Sequence, residues 1–213
     1  MNLARTLAPS GTLGLTVQKR VRPASFGWKL RNWIQNRWRE LPALAVYRLL
    51  GRVFSLVYIE SALYLKIVHA DGTVTDFGCV GRRVVTDVGV AYIVDAFQNS
   101  VELENMKFHG FGTGTTNEAA ADTALVTELT TEYVVNSTRP TGSTTEGATA
   151  NIYRTVGTLS PDSGGVLAIT EHGVFSAASA GVLLDRTKFA AVNLTAGSDS
   201  LQATYELTFT SGS

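Results

Sequence analysis

Apolar and polar residues alternate most strictly near the C-terminal end of the chain. There Leu201, Ala203, Tyr205, Leu207 and Phe209 interleave with Gln202, Thr204, Glu206 and Thr208. A period of two puts the first set on one face of a strand and the second on the other, as in an antiparallel sheet packed on one side. Upstream, Val166–Phe175 and Gly181–Val192 are rich in Val, Leu, Ile, Thr and Phe and are cut by Ser-Ala-Gly and Ala-Gly-Ser-Asp turns. They predict two more strands. The same reading places strands at Gly11–Val17, Val53–Ile59, Ala62–Ala70, Thr73–Val80, Met106–Phe111, Thr127–Val135 and Gly147–Ser160. Asp71-Gly72 between alternating runs predicts a hairpin. Asn136–Gly147 and Ser160–Gly165 predict exposed loops. The fold class expected is all-β, an antiparallel β-sandwich of jelly-roll type.

Two segments depart from the period of two. Leu30, Trp33, Ile34, Trp38 and Leu41 fall on one stripe of a helix bounded by Pro23 and Pro42. A shorter helix is predicted after Thr86 or Asp87, either of which can cap it. The domain organisation expected is a first sandwich strand within residues 1–17, an inserted arm over 18–59 and a sandwich body over 60–213.

Charge sharpens this division. The chain of 213 residues carries 18 Lys and Arg against 18 Asp and Glu. Residues 1–52 hold ten of the bases and only Glu40 among the acids, a net +9; residues 53–213 hold eight bases and seventeen acids, a net −9. A basic arm on an acidic body predicts an acidic partner, a second copy of the chain, or nucleic acid. All three tryptophans, Trp28, Trp33 and Trp38, lie in the arm.

Three uses of the arm fit these residues. Arginines with stacking indoles suit nucleic acid, and the same set suits a membrane surface. Trp28, Arg31, Trp33, Ile34, Arg37, Trp38 and Arg39 also suit a protein–protein contact, where Trp and Arg dominate binding energy. The protein–protein reading is preferred over nucleic acid because it also accounts for the acidic body. The plainest alternative is a helix covering one end of its own sandwich. Arg48 and Arg52 inside Leu41–Ile59 argue against a membrane span. No secretory leader is expected.

Chemistry-bearing candidates are few. His109-Gly110-Phe111-Gly112-Thr113-Gly114-Thr115 invites a phosphate loop, but Thr115 stands where a dinucleotide loop needs glycine and no Gly-Lys-Ser/Thr follows. His69, His109 and His172 are widely spaced, and the lone Cys79 allows neither an intramolecular disulfide nor a Cys/His zinc pattern. His172, Glu171, Asp185 and Ser176 can be assembled on paper into a triad, without a nucleophile elbow. Half-buried strand histidines are the expectation. No catalytic residue, metal site or cofactor is predicted.

Four stretches carry a resemblance. MNLARTLAPSGTLGLTV, the hairpin YLKIVHADGTVTDFGCVGRRVVTDVGVAYIVDAF, the loop FGTGTTNEAAADTALVTEL and the strands ITEHGVFSAASAGVLLDRTKFAAVNLTAGSDSLQATYEL resemble a group of structural proteins of tailed bacteriophages. There a GTGTT-type loop is followed by Asp-Thr-Ala-Leu. A Thr-Glu-x-Gly-aliphatic-Phe strand (Thr170–Phe175) and an aliphatic-x-x-Arg-Thr-x-Phe strand (Leu183–Phe189) come later. The resemblance covers most of residues 60–210 and the first seventeen; residues 18–59 depart from it. It implies a non-enzymatic virion component assembled in the host cytoplasm. The favoured role is a capsid decoration or cement protein bound to major capsid protein or other virion proteins, as a trimer or other homo-oligomer. A tail or fibre-attachment component is the runner-up.

Overall fold

The computed structural model of the protein describes residues 3–7, 13–17, 20–37, 45–46, 48–51, 53–54, 56–82, 85–133 and 138–211. The chain is 42% strand and 19% helix, with two principal sheets consistent with a β-sandwich. In chain order, β1 (Leu3–Leu7) and β2 (Leu13–Val17) form an antiparallel hairpin sheet of their own. The 1–17 segment was expected to enter the sandwich. Instead β3 (Val21–Pro23) occupies the outer edge, running parallel to β5 (Val74–Gly81). The helix α1 (Phe26–Asn32) follows, prolonged by a π-helical turn over Trp33–Arg37. Next come β4 (Tyr58–Val68), β5, α2 (Asp87–Phe97), β6 (Phe108–Gly112), β7 (Thr145–Glu146) and β8 (Ile152–Leu159). β9 (Val166–Phe175), β10 (Leu183–Thr195) and β11 (Ser200–Thr210) complete the chain.

One sheet has the order β3-β5-β4-β11-β8-β7 and the other β10-β9-β6. β11 pairs along its whole length with β4, from Ser200↔Val68 to Thr210↔Tyr58, and on its other side with β8. Its alternation is realised in space. Leu201, Ala203, Tyr205 and Leu207 are buried, and Gln202, Thr204 and Glu206 are half-exposed. Each buried leucine of this set contributes about 1.5–3 kcal/mol. The main core joins both sheets through Leu63, Leu65, Phe111, Leu159, Ile169 and Leu194. A second cluster lies under α2, where Tyr92 and Ile93 meet Val174, Leu184 and Leu207.

Local chemistry explains the joints. Asp71 accepts hydrogen bonds from the Thr73 amide and hydroxyl, and Gly72 adopts a φ of +77° in the β4–β5 turn. Thr86 caps α2, accepting from the Gly89 amide, while its hydroxyl donates to the Leu183 carbonyl.

Elsewhere the expected strands give way. Residues 53–54 are helical, and β4 starts at Tyr58 rather than within a strand over Val53–Ile59. Over Thr127–Val135 the described residues make one bridge, Gly112↔Glu128, and Val134 and Val135 lie outside the described residues. The Val126 and Thr127 amides bond a buried carboxylate instead of a strand. Within the predicted Asn136–Gly147 loop, Arg139 is buried and paired with Glu128, and Thr145–Glu146 pairs with β8.

Candidate functional site

The GTGTT loop, the Asp-Thr-Ala-Leu step and the Thr170–Phe175 and Leu183–Phe189 strands meet at one buried ion network. Glu171, in the Thr-Glu-His-Gly-Val-Phe strand, is fully buried. Its carboxylate accepts from the backbone amides of Gly114 (3.0 Å), Val126 (3.1 Å) and Thr127 (2.8 Å) and from Nε of Arg186 (2.8 Å). Arg186, in the Asp-Arg-Thr-Lys-Phe strand, also pairs with Asp122 at 2.9 Å and donates to the carbonyls of Thr116 and Asn117. Burial opposes its charge, but the bonds from Asp122 and Glu171 outweigh that and hold the guanidinium above its ordinary pKa. Asp122 opens the Asp-Thr-Ala-Leu step, whose Leu125 packs on Phe175 and Leu183.

The Gly-rich loop therefore gives one amide, that of Gly114, to the chain's own carboxylate, and Val126 and Thr127 supply the other two from the segment after the Asp-Thr-Ala-Leu step. Glycine is required for this approach: a Cβ at Gly112 would lie 2.6 Å from Oε1 of Glu171, and one at Gly114 would collide with the same atom. The paper triad is not assembled. Glu171 serves the loop, Asp185 accepts from Ser61 (2.6 Å) and Thr187 (2.9 Å), and the Ser176 hydroxyl accepts from the Val182 amide.

His109 and His172 were expected to be half-buried; both are sealed in the interior. Their facing nitrogens, Nδ1 of His109 and Nε2 of His172, are 2.9 Å apart, and Nε2 of His109 lies 3.0 Å from the Thr155 hydroxyl. Nδ1 of His172 has no hydrogen-bond partner among the described residues. An orphaned N–H costs more than an orphaned lone pair. The network therefore assigns the proton of His172 to Nε2, donating to His109, and that of His109 to its own Nε2, donating to Thr155. Burial pushes the pKa of His109 down to about 3, and burial plus the neighbouring His109 pushes His172 well below its ordinary value. Both are neutral at physiological pH. His69, by contrast, is half-buried and bonds Asp199 and Thr75.

The arm helix is inverted relative to its apolar stripe. Its inward stripe is Trp28, Asn32 and Asn36, at i, i+4 and i+8. These side chains meet a stretch of β10 where the register with β9 shifts between Lys188 and Val192, leaving backbone groups without ladder partners. Trp28 Nε1 donates to the Ala191 carbonyl (2.9 Å), Asn32 Oδ1 accepts from the Ala190 amide (2.9 Å), and Asn36 Nδ2 donates to the Lys188 carbonyl (2.8 Å). Asn32 also donates to the Val80 carbonyl on β5, so one helix face bridges the edges of both sheets. Trp28 packs edge-on to Phe77 with 4.6 Å between ring centroids.

The outward stripe is apolar. Phe26 is 80% exposed, Leu30 43%, Trp33 42% and Ile34 54%. A second apolar run, Val46, Leu49, Leu50, Val53 and Phe54, is exposed on helical residues of 45–54. Of the predicted contact residues, Trp33 and Ile34 share the outward stripe and Arg31 is exposed. Trp28 departs from that grouping and anchors the helix to its own body. Arg37 ends the π-helical turn, and Trp38 and Arg39 lie outside the described residues. The two asparagines that hold the helix were missed. Their signal was their spacing, in phase with Trp28.

No family model matches the chain, and no curated protein matches it. Among the described residues no group of three or more His, Cys, Asp and Glu is placed to hold a metal ion, and no helix is long and apolar enough to cross a membrane.

Proposed function

We propose that the protein is a non-enzymatic structural component of a tailed-phage virion, a capsid decoration protein whose basic arm is its docking element on a jelly-roll-like body. The observation that carries this reading is the outward apolar face of α1 on a helix whose inward face is already held by hydrogen bonds. Phe26, Leu30 and Ile34, large apolar side chains exposed on a folded chain, mark a surface built for a protein partner. The bases around it suit an acidic one. The resemblance supports the virion context. The ion network through Glu171, Arg186 and Asp122 gives its motifs a fold-holding role rather than a chemical one.

Purified particles test the reading. Mass spectrometry should find the chain at a copy number that scales with the capsid surface, and Leu30→Ser with Trp33→Ser should lower its occupancy on heads at least tenfold. Absence from particles would overturn the proposal. A few copies confined to the tail would move it to the attachment role.

A further inference from the structure

The α1 face has a counterpart on the same chain. On α2, Val90, Val94 and Phe97, at i, i+4 and i+7, are 44%, 49% and 83% exposed, while Gly89, Tyr92 and Ile93 face inward. Leu103, 42% exposed, extends this patch. Residues 87–106 contain Asp87, Asp95, Glu102 and Glu104, all exposed, and no Lys or Arg. Residues 20–37 contain Arg20, Arg22, Lys29, Arg31 and Arg37 and no acid. Lys29, Arg31, Asp95, Glu102 and Glu104 form no salt bridge among the described residues. Each patch thus has an apolar centre and uncompensated charge, of opposite sign.

The two patches do not cover each other within one molecule, since both are exposed. Both helices rest on β10, α2 at Leu184 and α1 at Ala190, roughly 20 Å apart along an extended strand. We propose that the α1 face of one copy docks on the α2 face of a second copy, Trp33 and Leu30 meeting Phe97 and Val94, with Lys29 and Arg31 facing Asp95, Glu102 and Glu104. The surfaces are unlike, so the contact is head-to-tail: each copy offers one donor face and one acceptor face. Association closes into a ring if the rotation allows and otherwise extends as a string. Opposite potentials set the pairing and its salt dependence.

This inference shares with the proposed function only the view of α1 as a docking face. Sedimentation of the purified full-length chain tests it without virions. The wild type should self-associate at low salt, with the association constant falling at least about tenfold as the Debye length shrinks from about 30 Å to about 8 Å. Two surface variants sharpen the test: Leu30→Ser with Trp33→Ser, and Val94→Ser with Phe97→Ser. Each alone should be monomeric, and an equimolar mixture should form a one-to-one dimer that grows no further, because each retains one intact face. Lys29→Glu with Arg31→Glu should weaken pairing at least about tenfold and recover it against Glu102→Lys with Glu104→Lys. A monomeric wild type, a mixture that fails to pair, or an α1 variant that still self-associates would each overturn the proposal. So would a monomeric chain whose α1 face instead binds single-stranded DNA or anionic vesicles. A chain monomeric in solution yet present on heads would overturn self-pairing alone and leave the virion role standing.

Discussion

Acidification should unfold this protein through its two buried histidines. In the unfolded chain an imidazole binds a proton near pH 6.5, whereas burial holds His109 at about 3. A base whose folded pKa is depressed stabilises the fold above its unfolded pKa. That contribution is lost as pH falls from 6.5 toward 3, because the unfolded state takes up a proton that the native state refuses. At pH 5 the loss for His109 is about 2 kcal/mol, and over the whole window it approaches about 5 kcal/mol. His172 moves in the same direction, its proton refused by burial and by His109. His109 alone should therefore cost about 2 kcal/mol between pH 7.5 and pH 5, an appreciable part of a typical domain's stability, and His172 adds to it in the same direction. Urea unfolding followed by tryptophan fluorescence should show the midpoint dropping over that range at constant slope. Carboxylates with ordinary pKa values near 4 take up most of their protons below it. Replacing both histidines, His109→Gln with His172→Gln, should flatten the dependence while lowering stability at pH 7.5. His69, which faces Asp199 near the surface, is present in both proteins and cancels. A wild-type midpoint that stays level from pH 7.5 to 5, or a double variant that keeps the full slope, would refute the reasoning.

Two further outcomes follow from the ion network and the helix anchor. Arg186→Met leaves the Glu171 carboxylate buried without its cation and should cost about 3–5 kcal/mol in urea unfolding, whereas Arg186→Met with Glu171→Gln should recover part of that loss. Asn32→Ala orphans the Ala190 amide and the Val80 carbonyl and should cost about 1–3 kcal/mol, while Leu30→Ala on the outward face should stay within about 0.5 kcal/mol. That order, asparagine above leucine, reverses what helix amphipathicity alone predicts.

The strands that alternate or run long were legible from local pattern. Val166–Phe175 appears at its predicted limits, the alternating run Leu201–Phe209 lies within β11, and Thr86 caps the helix it was expected to cap. Legibility failed where bonds join distant residues. Thr127–Val135 has the composition of a strand, but the Val126 and Thr127 amides are claimed by Glu171, more than forty residues on in sequence. His109 and His172 are likewise paired across sixty-three residues. For the arm, periodicity correctly located an apolar stripe but could not say which face docks. That choice was made by the shifted register of β10, a tertiary feature with backbone groups that only side-chain amides and an indole N–H satisfy. Of the apolar contact residues proposed from sequence, Ile34 and Trp33 stay on the outer face, while Trp28 is taken up in seating the helix.

This division of labour on α1 bears on how such a chain can change. In most surface helices the apolar residues that recognise a partner are also those that stabilise the fold, so altering specificity erodes stability. Here Asn32 and Asn36 fix the helix in place, and Phe26, Leu30 and Ile34, exposed on its outer face, add little to folding. Substitutions on the outer face are therefore nearly free of structural penalty. A lineage carrying this scaffold could therefore vary that outer face by drift, with the sheets beneath it unaltered.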